Sequence, residues 1–134
     1  MVAVAMIGVM VPSVFADHAE IAIGAVKESG LSLNCAVSQG GDGCYTPMVA
    51  TVDVGGVVTM TNTDPVSIHT FTSGTVDGFA PDPDGTFDSD LLMSGDVFEW
   101  SPTEAGRVPY FCMLHTWMVG VLIFVDSVES NNLS

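Results

Sequence analysis

Positive charge is almost missing from this chain of 134 residues. Lys27 and Arg107 are its only strong cations, set against 16 Asp and Glu, for a formal charge of −14. That scarcity excludes a nucleic-acid partner, because neutralising phosphates takes clustered lysine and arginine. It allows a protein partner with a basic surface, since complementary fields speed transient encounters. The same charge would equally serve to keep a protein soluble in a salty exterior. After residue 16 no segment has the length or apolarity of a membrane-spanning helix. A 3.6-residue apolar stripe of useful length is also missing there. Histidine is scarce, with only His18, His69 and His115.

The one long apolar run is Met1 to Val11, broken by Pro12 and followed by Val14-Phe15-Ala16 ahead of Asp17-His18. This predicts a signal peptide over residues 1–16, though without a positive n-region. The alternatives are a buried N-terminal strand or a retained anchor. The remainder is expected to be one domain, 17–127, with a flexible C-terminal tail over 128–134. The mature protein is expected to be exported and to carry no membrane span.

Three cysteines divide into two plus one. Cys35 and Cys44 bracket the glycine-rich stretch 36–43, and in an exported chain that spacing predicts a disulfide. Cys112 is left over and needs a separate explanation.

Short β-branched and aromatic runs separated by turn residues predict strands over 21–26, 48–52, 57–62, 97–100, 108–112 and 119–125. Val58 and Met60 alternate against threonines, and Phe98 and Trp100 share a face. The last run is apolar on both faces and is expected to be central. Such spacing suggests a sandwich or a barrel. His69 sits in a short run, 67–72. Residues 73–86, dominated by Gly, Pro and Asp, read as a long loop that overhangs the region of His69.

The chemistry concentrates near the C-terminus, in Tyr110-Phe111-Cys112-Met113-Leu114-His115-Thr116-Trp117-Met118. Cys112, His115 and Met118 follow one another at steps of three, so one short loop can turn all three donors toward a point. His69 is the obvious further donor from elsewhere. One thiolate, two imidazoles and a distant thioether suit a copper ion that alternates between two oxidation states. Structural zinc usually recruits two or more cysteines, and only one is free here. With His69 and His115 committed, His18 cannot build a second copper site. Met118 is the axial candidate; without it, water or a small molecule would take that position. Met113, Leu114 and Trp117 are expected to form an apolar collar around His115, leaving one imidazole edge as the electron exit.

From about Pro47 to Val125 the chain resembles the plastocyanin/amicyanin group of cupredoxins, particularly small acidic archaeal members. The resemblance rests on Val54-Gly55-Gly56-Val57-Val58-Thr59-Met60-Thr61-Asn62-Thr63-Asp64 leading to His69-Thr70-Phe71. It continues through Ser94-Gly95-Asp96-Val97-Phe98-Glu99-Trp100, the run 105–112 and Met118-Val119-Gly120. It implies an all-β, Greek-key β-sandwich with type 1 copper at one pole, held by His69, Cys112, His115 and Met118. The family often has proline after the loop histidine, where this chain has Thr116. An extracytoplasmic location follows: periplasm, archaeal pseudoperiplasm or the outer membrane face.

The expected function is one-electron transfer between redox protein partners. The alternative is a mononuclear copper oxidoreductase, with an open axial position, acting on nitric oxide or nitrite. Metal delivery is a third reading and ranks below both, because it favours exposed, exchangeable sulfur clusters.

Overall fold

The computed structural model describes residues 18–126. The leader expected over 1–16 and the tail expected over 128–134 lie outside the described residues. In chain order the strands are β1 (Glu20–Ala25), β2 (Tyr45–Thr46), β3 (Val49–Asp53), β4 (Val57–Thr61) and β5 (Thr72–Asp77). They continue with β6 (Ala80–Asp88), β7 (Val97–Trp100), β8 (Gly106–Phe111) and β9 (Val119–Val125), and one short 3-10 turn, Val37–Gln39, lies between β1 and β2. They form two mixed sheets, ordered β2-β1-β4-β7 and β3-β9-β8-β5-β6.

The sandwich follows from period-two patterning. In β4, Val58 and Met60 are fully buried while the threonines beside them are half-buried. Their cross-strand partners on β7 are Trp100 and Phe98. The continuous apolar run of β9 is explained by its place inside the second sheet, parallel to β3 and antiparallel to β8. Aromatic rings close the space between the sheets: Trp100 of β7 stacks on Phe124 of β9 at 5.3 Å, and Tyr45 of β2 on Tyr110 of β8 at 4.9 Å. Each fully buried apolar side chain of this core, such as Leu122 or Val52, contributes roughly 1.5–3 kcal/mol. Gly120 pairs with Tyr110 across the β8–β9 ladder, and a Cβ at Gly120 would run into the tyrosine ring and hydroxyl. Glycine is required there by close approach.

Residues 73–86 are not a loop. They form most of an antiparallel hairpin, with Val76 opposite Pro81 and Asp77 opposite Ala80. The turn passes through Gly78, whose φ of 65° suits glycine. The strand pattern is hidden because β6 is a sheet edge and is exposed along nearly its whole length, Phe87 excepted. With only one buried residue there is no alternation to detect, and prolines, which lack a donor, are tolerated at an edge. Asp84 secures the strand, accepting from Ser73 Oγ at 2.6 Å and from the Thr86 N–H at 2.9 Å.

The segment before the region of resemblance is also built into the sandwich. β1 lies inside the first sheet, parallel to β4, with Ile21 beside Val58 and Ile23 beside Met60. After β1 the chain folds back through the Cys35–Cys44 disulfide, whose Cα atoms are 4.9 Å apart. The expected pairing is therefore present; it ties Cys35 to Cys44, whose carbonyl accepts from Val26 N–H at 2.8 Å just past the end of β1.

Candidate metal centre

Cys112 follows β8 directly, and His115 and Met118 occupy the loop that returns to β9. Two backbone hydrogen bonds shape that loop: Cys112 N–H donates to the Met118 carbonyl at 3.2 Å, and Met118 N–H to the His115 carbonyl at 2.9 Å. Phe111 pairs with Val119, so Cys112 stands opposite Met118 one step further along the ladder. Residues directly opposite in an antiparallel pair project to the same face. Both Cys112 and Met118 accordingly enter the interior and are fully buried.

His69 does not sit in a strand. It lies in the connection between β4 and β5 and is held by a single bridge to Leu92, with His69 N–H on the Leu92 carbonyl at 3.1 Å and the reciprocal bond at 2.8 Å. Asn62 braces the same connection by donating to the carbonyls of Ser67 and Leu92, both at 2.8 Å.

These two segments bring His69, Cys112 and His115 together, with one ligating atom of each inside 4.8 Å of the others. Cys112 Sγ is 3.8 Å from His69 Nδ1 and 3.6 Å from His115 Nδ1. Metal–sulfur and metal–nitrogen bonds of roughly 2.3 and 2.0 Å, set 120° apart, would separate their donors by about 3.7 Å. The two observed sulfur–nitrogen separations are those that donors to one shared ion would have. Both imidazoles offer Nδ1.

The surroundings favour ligand-ready protonation at Cys112 and His115, and work the other way at His69. At Cys112, burial pushes the thiol pKa up, but the hydrogen bond with His69 and backbone N–H groups, Thr70 at 3.3 Å among them, outweigh it and bring the pKa down. At His69, burial works against the charged ring, while Cys112 and Asp64 work for it and prevail, raising the pKa. His115 is pushed down by burial and then by the charge of His69, so it stays neutral at physiological pH. A metal needs thiolate and neutral imidazole, and Cys112 and His115 are already biased that way.

Several residues of the site were not visible in the sequence. Asp64 Oδ2 lies 2.7 Å from His69 Nε2, and both side chains are fully buried. Ser29 Oγ is 3.3 Å from the same nitrogen, and the Ser29 carbonyl accepts from Trp117 Nε1 at 2.8 Å. Gly30 packs against His115: a Cβ there would stand 2.8 Å from His115 Cε1. The position of Asp64, five residues before His69 in a turn, was the only local hint. His18 plays no part in the cluster; its carbonyl accepts from Asp53 N–H.

The residues expected to form the collar differ in exposure. Met113 and Leu114 are exposed at 39% and 49%, and the Trp117 ring is half-buried 5.3 Å from His115. Thr116 donates to the Phe79 carbonyl at the tip of the β5–β6 hairpin, so that hairpin does reach the ligand loop.

No family model matches the sequence, and no curated protein matches it. Solved structures do. A purple cupredoxin from Nitrosopumilus maritimus is 30% identical over 78% of this chain and 99% of its own, with a TM-score of 0.63. A reduced amicyanin is 19% identical, covering 79% of this chain and 82% of its own at a TM-score of 0.51. A copper-containing nitrite reductase from Thermus scotoductus is 21% identical over 80% of this chain but only 22% of its own, at 0.56. The latter two likenesses concern the fold. With two facing β-sheets, a His69–Cys112–His115 cluster where two loops meet, and near-complete coverage of the Nitrosopumilus protein at that identity, the chain belongs to the cupredoxin family.

Proposed function

We propose that this protein is an exported, mononuclear type 1 copper protein that carries single electrons. The observation that carries this reading is the spacing of Cys112 Sγ from the two Nδ1 atoms, 3.8 and 3.6 Å, with Cys112 and His69 fully buried. A lone thiolate with two imidazoles matches the His₂Cys donor set of electron-transfer copper, and Met118 on the Cys112 face is the axial candidate. Copper, when bound, supplies one-electron exchange between Cu(II) and Cu(I).

The protein's part is to hold the donors still and dry. His69 and Cys112 are fully buried, each fixed by hydrogen bonds from a separate segment, so the donor geometry has little freedom to change with oxidation state. His115 is the half-buried ligand, beside exposed Met113 and Leu114, which makes its imidazole edge the natural point of electron exit. The acidic surface suits a redox partner with a basic face. The disulfide supports a location outside the reducing cytosol, and no helix among the described residues is long and apolar enough to cross a membrane. The likeness to nitrite reductase covers a fraction of that enzyme and lends no activity to this chain.

Copper titration followed by visible absorption tests the reading. One equivalent of Cu(II) should produce an intense thiolate–copper band that disappears on reduction and is missing from Cys112→Ser. A band that survives in Cys112→Ser would overturn it.

A further inference from the structure

The carboxylate of Asp64 has no contact with the proposed ion's cluster other than through His69, yet it is built into the pocket with unusual completeness. It is fully buried. Its Oδ1 accepts two backbone N–H groups, from Glu28 at 3.0 Å and Val66 at 3.1 Å. Its own N–H donates to Asn62 Oδ1 at 3.0 Å. Oδ2 is left for His69 Nε2, at 2.7 Å, a separation typical of a charge-assisted bond. Glu28 belongs to the stretch that follows β1, Val66 to the connection that carries His69, so the carboxylate ties two chain segments to one ligand.

Two consequences follow from elementary chemistry. A carboxylate whose Oδ1 is occupied by donors can only accept at Oδ2, so the His69 proton resides on Nε2 and Nδ1 keeps its lone pair for the metal. A negative charge delivered to the far side of a ligating imidazole makes that ring a stronger donor and favours the more highly charged metal ion. Both effects are larger in a pocket closed to water than at a surface.

We infer that Asp64 is a positioning residue for the copper site: by gripping His69 Nε2–H it fixes the ligating tautomer and lowers the reduction potential, biasing the centre toward Cu(II). This deepens the proposed function and rests on it. Ser29 adds a neutral contact to the same nitrogen at 3.3 Å and so does not carry the charge effect.

The test has two parts. Nitrogen NMR of the wild type, metal-free and loaded with Cu(I), should find the His69 proton on Nε2 and protected from exchange. A proton on Nδ1 of the metal-free protein, with Nε2 bare, would overturn the inference. Copper-loaded Asp64→Asn, equilibrated with a one-electron redox couple, should shift at least tenfold toward Cu(I), which is about 59 mV for one electron. Thr63→Ala serves as the control, since it removes the 2.6 Å bond to the Ala25 carbonyl in the same turn and leaves the carboxylate in place. It should stay within twofold of the wild type. An Asp64→Asn value within twofold of the wild type, or a Thr63→Ala shift as large as that of Asp64→Asn, would overturn the inference. Should Asp64→Asn fail to fold, the NMR assignment decides. A wild type that binds no copper ends the proposed function; a copper-loaded wild type with an unmoved Asp64→Asn ends this inference alone.

Discussion

Cys112 and Met118 face each other across the mouth of the β8–β9 hairpin, joined by the Cys112 N–H bond to the Met118 carbonyl at 3.2 Å, with both side chains fully buried. The hairpin register, and not the CxxHxxM spacing alone, puts a thioether on the same face as the thiolate. Met118→Leu keeps the volume and removes the sulfur. The expected result is a copper protein that still shows its thiolate–copper band, with a potential higher by about 59 mV or more, a tenfold change in the one-electron equilibrium. Unchanged potential and unchanged electron paramagnetic resonance would mean that Met118 is core packing only.

Gly120 lies under the Tyr110 ring, where no Cβ fits. Gly120→Ala should destabilise the fold by roughly 1–3 kcal/mol through overpacking. Urea denaturation of the metal-free protein measures this. Stability equal to the wild type would show that β8 and β9 can separate at no cost.

The Cys35–Cys44 bridge spans nine positions of sequence and ties the stretch that follows Glu28, Ser29 and Gly30, which reach the site, back to the residue before β2. Loop-closure entropy gives a bridge of that length a worth of roughly 2–3 kcal/mol. A Cys35→Ser/Cys44→Ser double variant should lose about that much stability in urea, and its copper spectrum should broaden as residues 28–30 loosen. A variant with unaltered midpoint and sharp spectrum would show that the segment is held without the bridge.

Asp84 sets a pH dependence away from the metal pocket. Chiefly the Ser73 hydroxyl, helped by the Thr86 N–H, holds its carboxyl below the usual carboxylate range against the opposing effect of burial, which is second in size. A group whose pKa is lower folded than unfolded stabilises the fold above its unfolded value, and that stability is lost as pH falls through the folded one. Wild type should therefore exceed Asp84→Asn in urea stability at pH 7, and the gap should close below about pH 4. A gap that widened in acid would contradict the assignment.

Legibility of the site in the sequence followed the range of the interactions involved. Cys112, His115 and Met118 could be read because their donor chemistry is distinctive and one short loop holds them; His69 could be read because histidine is scarce. The strands β4 and β9 could be read because one is half-buried and alternates, and the other is interior and uniformly apolar. The hairpin of β5 and β6 could not, since an exposed edge strand with prolines carries no periodic signal. Asp64 was hidden for a different reason. It is one of 16 acidic residues, and nothing in the local sequence marks it as the one around which Glu28 and Val66 fold.

X-ray absorption at the copper edge, recorded on the Cu(II) and Cu(I) forms, tests the central claim most directly: that Cys112, His69 and His115 share one ion in a frame that does not yield to its oxidation state. The expected result is one short sulfur neighbour and two nitrogens in both forms, with distances nearly unchanged by reduction. A spectrum without the sulfur, or one whose ligand set changes on reduction, would contradict it.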